Sequence, residues 1–436
     1  MLSTALISTL LDSNDESNSV SPGKSVLLVL TPHSPIKIEG DLDFAAQASS
    51  EGWPGNGSDT SPYVISSCLF ANYGTDYPIW IANTTVYFEI SNCTIRDFLR
   101  TGIQLRNITH ATLSVNNITC GERSSGIYSD DSDNMTLSRN IVVVELGMGG
   151  SGPGVYLQRC ENFTIDSNVI TGGLSLGIDI CKDCVVSNNT LWGKYDSLKV
   201  LSSLGGIYTG NDCSGGTGVS VHIQLSPGNV FSLNTFEGSG YAVWNEESDY
   251  CIYNNNTFNA GQRPLVLESS DFITVRGNLW NGTGGPSMAD GLYLIQSQGN
   301  LIYENTFSRC FNYGVHIEDT ASQGSIIWNN TFLYNHGSGD TYDPAHAQAY
   351  DFSGGNFWNS SDGYGNYWTD WQTPDNDPPY GIVDLPYNIT GGAGAQDHYP
   401  LTNAPTPIPE FAALPLLALA IVGLFAATAR GVRREG

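Results

Sequence analysis

Two tyrosines accompanied by acids are the first residues in this chain whose types suit a chemical task. Tyr128 lies in GIYSDD and Tyr156 in GVYLQR, and Asp130 and Asp179 are the acids that the pattern brings nearest to them. Aromatic rings stack on the C–H faces of sugars while carboxylates accept hydroxyl protons, so these four residues form a candidate glycan-binding set. The plainer alternative is that tyrosine is favoured on strands whatever the function. Cleaving a glycosidic bond asks for more, namely two carboxyl groups about 5–5.5 Å apart for retention or about 6.5–9.5 Å for inversion. Glu268, Glu318 and Asp130 are the acids that could take such a role, with Glu268 and Glu318 at the edge of the inverting range.

The elements that must position these residues are written in a repeat. Phrases in common register begin at Pro78, Gly102, Gly126, Gly154, Gly177, Gly218, Gly240, Pro264, Gly291 and Gly314, with a period near 24 that tolerates insertions. That is the mark of a solenoid. The residues one and three after each start are apolar almost throughout (Ile103/Leu105, Val155/Leu157, Leu265/Leu267), a period of two that belongs to a strand with one buried face. A second column, Asn92, Asn117, Asn140, Asn168, Asn189, Asn234, Asn256, Asn278, Asn305 and Asn330, predicts a tight turn per coil and an amide ladder along the axis. The expected fold is therefore all-β, a parallel β-solenoid of ten or more coils, with the 41-residue interval after Gly177 read as one coil carrying an inserted loop around 193–216.

Counting outward from the same starts, the second residue gives Trp80, Gln104, Tyr128, Tyr156, Asp179, Ser220, Ala242, Val266, Tyr293 and His316. The fourth gives Ala82, Arg106, Asp130, Gln158, Cys181, His222, Trp244, Glu268, Ile295 and Glu318. On this reading Glu268 and Glu318 share a column two coils apart, about 10 Å by rung spacing. Asp131 points away from Asp130 if the strand continues. An eliminating enzyme would want clustered acids for Ca2+ and a basic residue, and Arg106 is the only base other than histidine in either column.

Other residue types bound the remaining chemistry. TPDNDPPYGIVD places Asp375, Asp377 and Asp384 with Gly381 in an order similar to a calcium loop, altered by Pro379 at the third ligand position and a displaced glycine. Of nine cysteines, Cys68 and Cys93 lie one repeat apart and are expected to form a disulfide; Cys160 with Cys181 or Cys184 is a second candidate. CKDC at Cys181–Cys184 reads as structural, since no second such pair follows. Four Met and seven scattered His supply no soft cluster for copper. Thirteen Asn-x-Ser/Thr sequons occur; Asn83, Asn281, Asn359 and Asn388 are the expected glycosylation sites, while Asn92 and Asn117 are attributed to the ladder.

Composition and termini set the location. A net charge of −26 argues against nucleic acid as a partner. FAALPLLALAIVGLFAATA, residues 411–429, is long and apolar enough to span a bilayer, and the basic tail 430–436 puts the body outside the cell. The expected organisation is an N-terminal segment 1–35 with the character of a degenerate signal peptide, a cap 36–77, coils 78–356, a C-terminal cap 357–402, a Pro-rich spacer 403–410, the membrane segment and the tail.

These features together resemble the right-handed parallel β-helices of the pectin-lyase-like superfamily, in the branch described as NosD-like or as carbohydrate-binding and sugar-hydrolysis repeats. GWPGNGSDTSPYVI at Gly52 and NFWNSSDGYGNYWTDW at Asn356 are similar to the opening and closing segments of archaeal surface β-helix proteins, and IPEF before the apolar run is similar to a PEF-type sorting signal. The resemblance implies a membrane-anchored, archaeal cell-surface protein processed by an archaeosortase-like enzyme, with glycans or envelope components as partners and without catalysis. Its alternative is a polysaccharide lyase, glycoside hydrolase or uronan epimerase on the same scaffold. DPAH at Asp343 is similar to the DPHE site of alginate epimerases, with the last two positions changed.

Overall fold

The computed structural model describes residues 30–405 apart from 72–73, 75, 148–151, 216, 260–261, 282–289, 373 and 393. The apolar segment 411–429, the tail and most of the N-terminal segment lie outside these residues. No helix among the described residues is long and apolar enough to cross a membrane.

The chain winds into a parallel β-solenoid. A representative coil lays down Thr101–Ile108, then Ala111–Ser114, then Asn117–Cys120, with a tight turn between each pair. Each strand pairs in parallel with its counterpart one coil on, as Ile127 does with Ile103 and Val155. Second strands stack into a twelve-stranded sheet, and the other two sets merge into a larger one. They merge because Val169–Asp179 and Thr190–Leu201 run unbroken through a corner where other coils turn. The turns demand left-handed backbone at non-glycine residues such as Asn107, Asn162, Asn188 and Asn255, where asparagine is the side chain that tolerates it best.

Inside, two devices tie coil to coil. The first is aromatic: Phe258, Trp280, Phe307, Phe332, Trp368 and Tyr387 stack in sequence with centroids 4.0–5.1 Å apart. The second is the predicted amide ladder, with its membership corrected. It runs Asn116, Asn140, Asn168, Asn189, Asn211, Asn234, Asn256, Asn278, Asn305, Asn330 and Asn366. Asn117 is exposed beside it, and Asn92 sits at the left-handed corner preceding Cys93, which takes the ladder position in its coil. The sequon asparagines Asn188, Asn255 and Asn329 likewise precede ladder members and face outward at the corner, so the ladder does not generate the sequons. A parallel serine ladder joins Ser203, Ser226, Ser248, Ser270, Ser297 and Ser322.

Cys160 and Cys181 are members of that serine ladder. The Cys160 amide donates to Cys181 Sγ at 3.4 Å and the Cys181 amide to Ser203 Oγ at 2.8 Å, so CKDC is structural. Cys68 and Cys93 do meet on adjacent rungs, next to the Leu69–Thr94 pair, but both are free thiols here. Contact with Cys93 and the neighbouring His33 lowers the Cys68 thiol to about 7, whereas the same contact and burial raise Cys93. A thiolate near neutral pH is the attacking species for oxidation. Under oxidising conditions unreduced peptide maps are expected to contain the Cys68–Cys93 cross-link, forming faster as pH rises through about 7. Recovery of both as alkylated thiols after air oxidation would exclude the bond.

The interval after Gly177 is two coils rather than one coil with a loop. Lys199 pairs with Gly177 on one side and His222 on the other, giving a full rung at Ser197–Leu201 with Leu198 and Val200 inward. At the ends, helix Asp41–Glu51 covers the first coils through Phe44 and Ala48, and the segment from Trp358 to Leu401 closes the last.

Candidate functional site

The outward face of the first strands carries the chemistry. In register, its ring-bearing column reads Trp80, Gln104, Tyr128, Tyr156, Gly177, Lys199, His222, Trp244, Val266, Tyr293, His316 and Tyr350. The neighbouring column reads Ala82, Arg106, Asp130, Gln158, Asp179, Leu201, Gln224, Glu246, Glu268 and Ile295. The predicted columns hold to Gln158, slip by two residues over the coils of Asp179, Ser220 and Ala242, and hold again from Val266 and Glu268 onward. Asp179 belongs beside Gln158, Ser220 and Ala242 are fully buried, and His222 and Trp244 are ring-column members. The cause is the corner before each strand. A Cβ at Gly102 or Gly126 would lie 2.8 or 2.6 Å from the carbonyl of the next coil, so only small residues fit there. Ser175, Ser197, Ser220 and Ala242 fill that corner in the slipped coils, while Gly177 is glycine for another reason: a Cβ there would lie 2.5 Å from the Tyr156 ring.

In four of these rings the polar atom bonds to an acceptor one coil further on. Tyr128 Oη donates to Gln158 Oε1 at 2.7 Å and Tyr156 Oη to Asp179 Oδ2 at 3.0 Å. His222 Nε2 meets Glu246 Oε2 at 3.2 Å and Trp244 Nε1 donates to Glu268 Oε2 at 3.0 Å. The rings are shingled in consequence. Tyr128 and Tyr156 stack at 5.7 Å and 11°, and His222 and Trp244 at 4.8 Å and 9°. Burial and the nearby Asp130 and Asp179 charges raise the Tyr128 and Tyr156 phenols, so both stay neutral donors.

The predicted set Tyr128, Tyr156, Asp130 and Asp179 therefore stands together, though differently from the expectation. Asp179, 9% exposed, accepts from both Tyr156 and Gln158 Nε2. Asp130 and Asp131 do not diverge: the left-handed turn at Asp131 brings both carboxylates onto Arg159. Glu268 and Glu318 remain two coils apart with Ile295 between them, and each has its own partner, Trp244 for the first and His316 Nε2 at 3.1 Å for the second.

Residues that sequence reasoning missed gather at the C-terminal end of the face. Asp290, 1% exposed, accepts from His316 Nδ1 at 3.0 Å and lies 3.6 Å from Arg263 Nε. The Arg263 guanidinium rests 3.7 Å from the Tyr293 ring centre, a cation–π contact. Asp290 follows an insertion between repeats, so no periodic signal marked it.

The other candidates are used locally. Asp384 accepts from the Asn376 and Asp377 amides and Asp375 from the Gly381 amide, so these carboxylates brace the loop. Among the described residues no group of three or more His, Cys, Asp or Glu is arranged to hold a metal, which leaves Asp375, Asp377 and Asp384 without the geometry of a calcium loop. Asp343 caps a short turn by accepting from Ala345 N, unlike a catalytic acid. Asn83, Asn281 and Asn388 are exposed and Asn359 is half-buried; Asn83 also bonds to Asn107 and Glu39.

Two family models match parts of the chain. Residues 177–373 match the model described as periplasmic copper-binding protein (NosD), and 54–180 match the right-handed beta helix region. No curated protein matches the chain. Among solved structures, the Dettilon tailspike protein is 15% identical with TM-score 0.49, covering 67% of this chain and 64% of its own. An alginate lyase from Paenibacillus sp. is 13% identical with TM-score 0.37, covering 50% of this chain and 86% of its own. The A-module of the Azotobacter vinelandii mannuronan C-5 epimerase AlgE4 is 14% identical with TM-score 0.42, covering 66% and 89%. The coil geometry and these matches make the chain a right-handed parallel β-helix protein, similar over 177–373 to NosD.

Proposed function

We propose that this protein is a cell-surface β-helix that binds a glycan along the shingled face of its first strands. The observation that supports it is the diagonal order of that face, in which Tyr128, Tyr156, His222 and Trp244 each bond to a polar side chain one coil further on. Four of its bases are already engaged, Arg159 by Asp130 and Asp131, Arg263 by Asp290, His222 by Glu246 and His316 by Asp290 and Glu318, which leaves Arg106 and Lys199 of the same columns outside these pairs. A polyuronate would therefore meet few unpaired cations, and a neutral glycan fits better. Around Tyr128 and Tyr156 the acids are held by internal partners, so binding there occurs without cleavage. In this proposal residues 411–429 anchor the body outside the membrane, a PEF-type signal directs processing by an archaeosortase-like enzyme, and Asn83, Asn281, Asn359 and Asn388 carry glycans.

Each ring is worth on the order of 1 kcal/mol. The double variant Tyr128→Ala/Tyr156→Ala is expected to weaken glycan binding about 30-fold, read by titration of the best ligand from a glycan array with circular dichroism unchanged. A folded double variant that binds as tightly as the parent would end the proposal.

A further inference from the structure

The left-handed corners carry a pattern that the fold does not require. Among the described residues 29 other than glycine have positive φ, and eight of them are asparagine: Asn83, Asn92, Asn107, Asn134, Asn162, Asn188, Asn255 and Asn329. Every one of the eight has threonine two residues on and no proline between. Of the other 21, only Leu233, Phe272 and Glu304 are followed by threonine at that distance, and His336 by serine. The corner explains the asparagine, which tolerates this backbone. It does not explain the threonine, since Ile141, Val185 and Ile252 fill the same strand position after Arg139, Asp183 and Tyr250.

The side chains are also presented as an acceptor for modification must be. At Asn134, Asn162, Asn188 and Asn255 the asparagine is exposed, the next residue is buried, and the threonine stands half-buried on the outer side of its strand. None of these four threonine hydroxyls bonds to another described residue, so valine would serve the strand as well. Asn134 and Asn255 donate from Nδ2 to no other described residue. Asn162 Nδ2 lies 3.3 Å from Asn134 Oδ1, and Asn188 Nδ2 lies 3.0 Å from Asp166 Oδ1. Asn134 and Thr136 furthermore line a cavity of about 240 Å³ together with Tyr87 and His110, whose rings stack at 4.0 Å and 3°. That pair gives the first sugar on Asn134 an aromatic surface to pack against.

We propose that Asn134, Asn162, Asn188 and Asn255 are N-glycosylated. The corners of the rod then carry covalent glycans, while the ring-bearing columns of the first strands, which contain no sequon, stay open. The donor is an oligosaccharide carried on a lipid phosphate. Asparagine Nδ2 forms a bond to the anomeric carbon, the C–O bond to phosphate breaks with its electron pair leaving on the phosphate, and the displaced Nδ2 proton passes to a base of the transferring enzyme. The inference rests on the body lying outside the cell.

The test maps glycopeptides, by fragmentation that preserves the sugar, in the full chain recovered from its native cells. The same chain made without a transferase is the mass reference. Glycan is expected on at least three of the four asparagine peptides. Thr136→Val, Thr164→Val, Thr190→Val and Thr257→Val, each made singly in those cells, should lose the glycan at their own asparagine with circular dichroism unchanged, and the matching serine variants should keep it. Two or more bare peptides in the parent, or glycans that survive the valine variants, overturn the inference. If these asparagines are bare while Asn83, Asn281, Asn359 and Asn388 carry glycans, the surface proposal stands alone; if all eight are bare, its glycosylation fails as well.

Discussion

Replacing Asn211 by alanine is expected to open the middle of the rod at a cost of about 2–6 kcal/mol, among the largest single-residue effects in the molecule. Its Oδ1 accepts from both the backbone amide and the Nδ2 of Asn189 at 3.0 Å, and its own Nδ2 donates to Val186 O at 2.9 Å and to Asn234 Oδ1 at 3.0 Å. All of these groups are buried. Alanine removes the partner and leaves the Asn189 amide and the Val186 carbonyl without it, each at about 1–3 kcal/mol, while Asn189 Nδ2 keeps Ile165 O and Ser187 O. Aspartate would be no remedy, since it cannot donate to Val186 O and would place a charge in the core. A solenoid is a chain of nearest-neighbour interfaces, so the damage should be local. Hydrogen exchange is the suitable measurement. Amides of the coils containing Asn189, Asn211 and Asn234 should lose protection by several orders of magnitude, while those near Phe88 and Trp368 should keep theirs. Uniform loss of protection would mean that the rod unfolds as one unit, and no loss would mean that water replaces the amide.

How much of this was legible follows from how the two periods are written. Alternation of apolar residues marks a strand wherever it occurs, so the solenoid and its parallel coils could be read directly from pairs such as Ile103/Leu105. Phase is harder, because glycine answers two different demands. At Gly102 and Gly126 it permits the close approach of the next coil, whereas at Gly177 it makes room under the Tyr156 ring. Taking all glycines as one landmark displaced Asp179, His222 and Trp244 and concealed the coil at Ser197–Leu201, where serine does the corner's work. The alternation of Leu198 and Val200 was present in the sequence and would have found it.

The site was legible in its tyrosines and only partly in its acids. Tyr128, Tyr156 and Asp130 fell in coils with true corner glycines, and so were placed correctly. Glu246 was hidden by the same two-residue slip that put Trp244 in its column. Asp131 was misdirected because strand alternation fails at a left-handed turn. Asp290 comes from an insertion, and its contact with His316 depends on tertiary placement that no period encodes.

The closing cap should make the end of the rod sensitive to pH through Asp397. This carboxyl is fully buried and ends the amide ladder: its Oδ2 accepts from the Asn366 amide at 2.7 Å and from Trp368 Nε1 at 2.9 Å, and its Oδ1 from the Tyr399 amide at 3.1 Å. Burial raises it from 3.8 to about 7 against these donors. A raised acid favours the neutral form in the folded cap, so its contribution is fully present below about pH 4 and is lost as pH rises through about 7. The difference between those limits is on the order of 4 kcal/mol. Burial raises Asp370 as well, which accepts from Gln348 Nε2 and Tyr387 Oη in the same cap, so a smaller slope of the same sign remains when Asp397 is neutralised. The cap's opening, followed by exchange of the Asn366 and Tyr399 amides corrected for intrinsic rate, should become easier between pH 4 and pH 8 in the parent. In Asp397→Asn, which mimics the neutral acid, most of that change should vanish. Asp397→Ala should open the cap at every pH, because it strands the Trp368 indole and the Asn366 amide together. Equal pH profiles in the parent and the asparagine variant would show that the carboxylate is stabilised in place by its donors, and the burial account of this cap would fall.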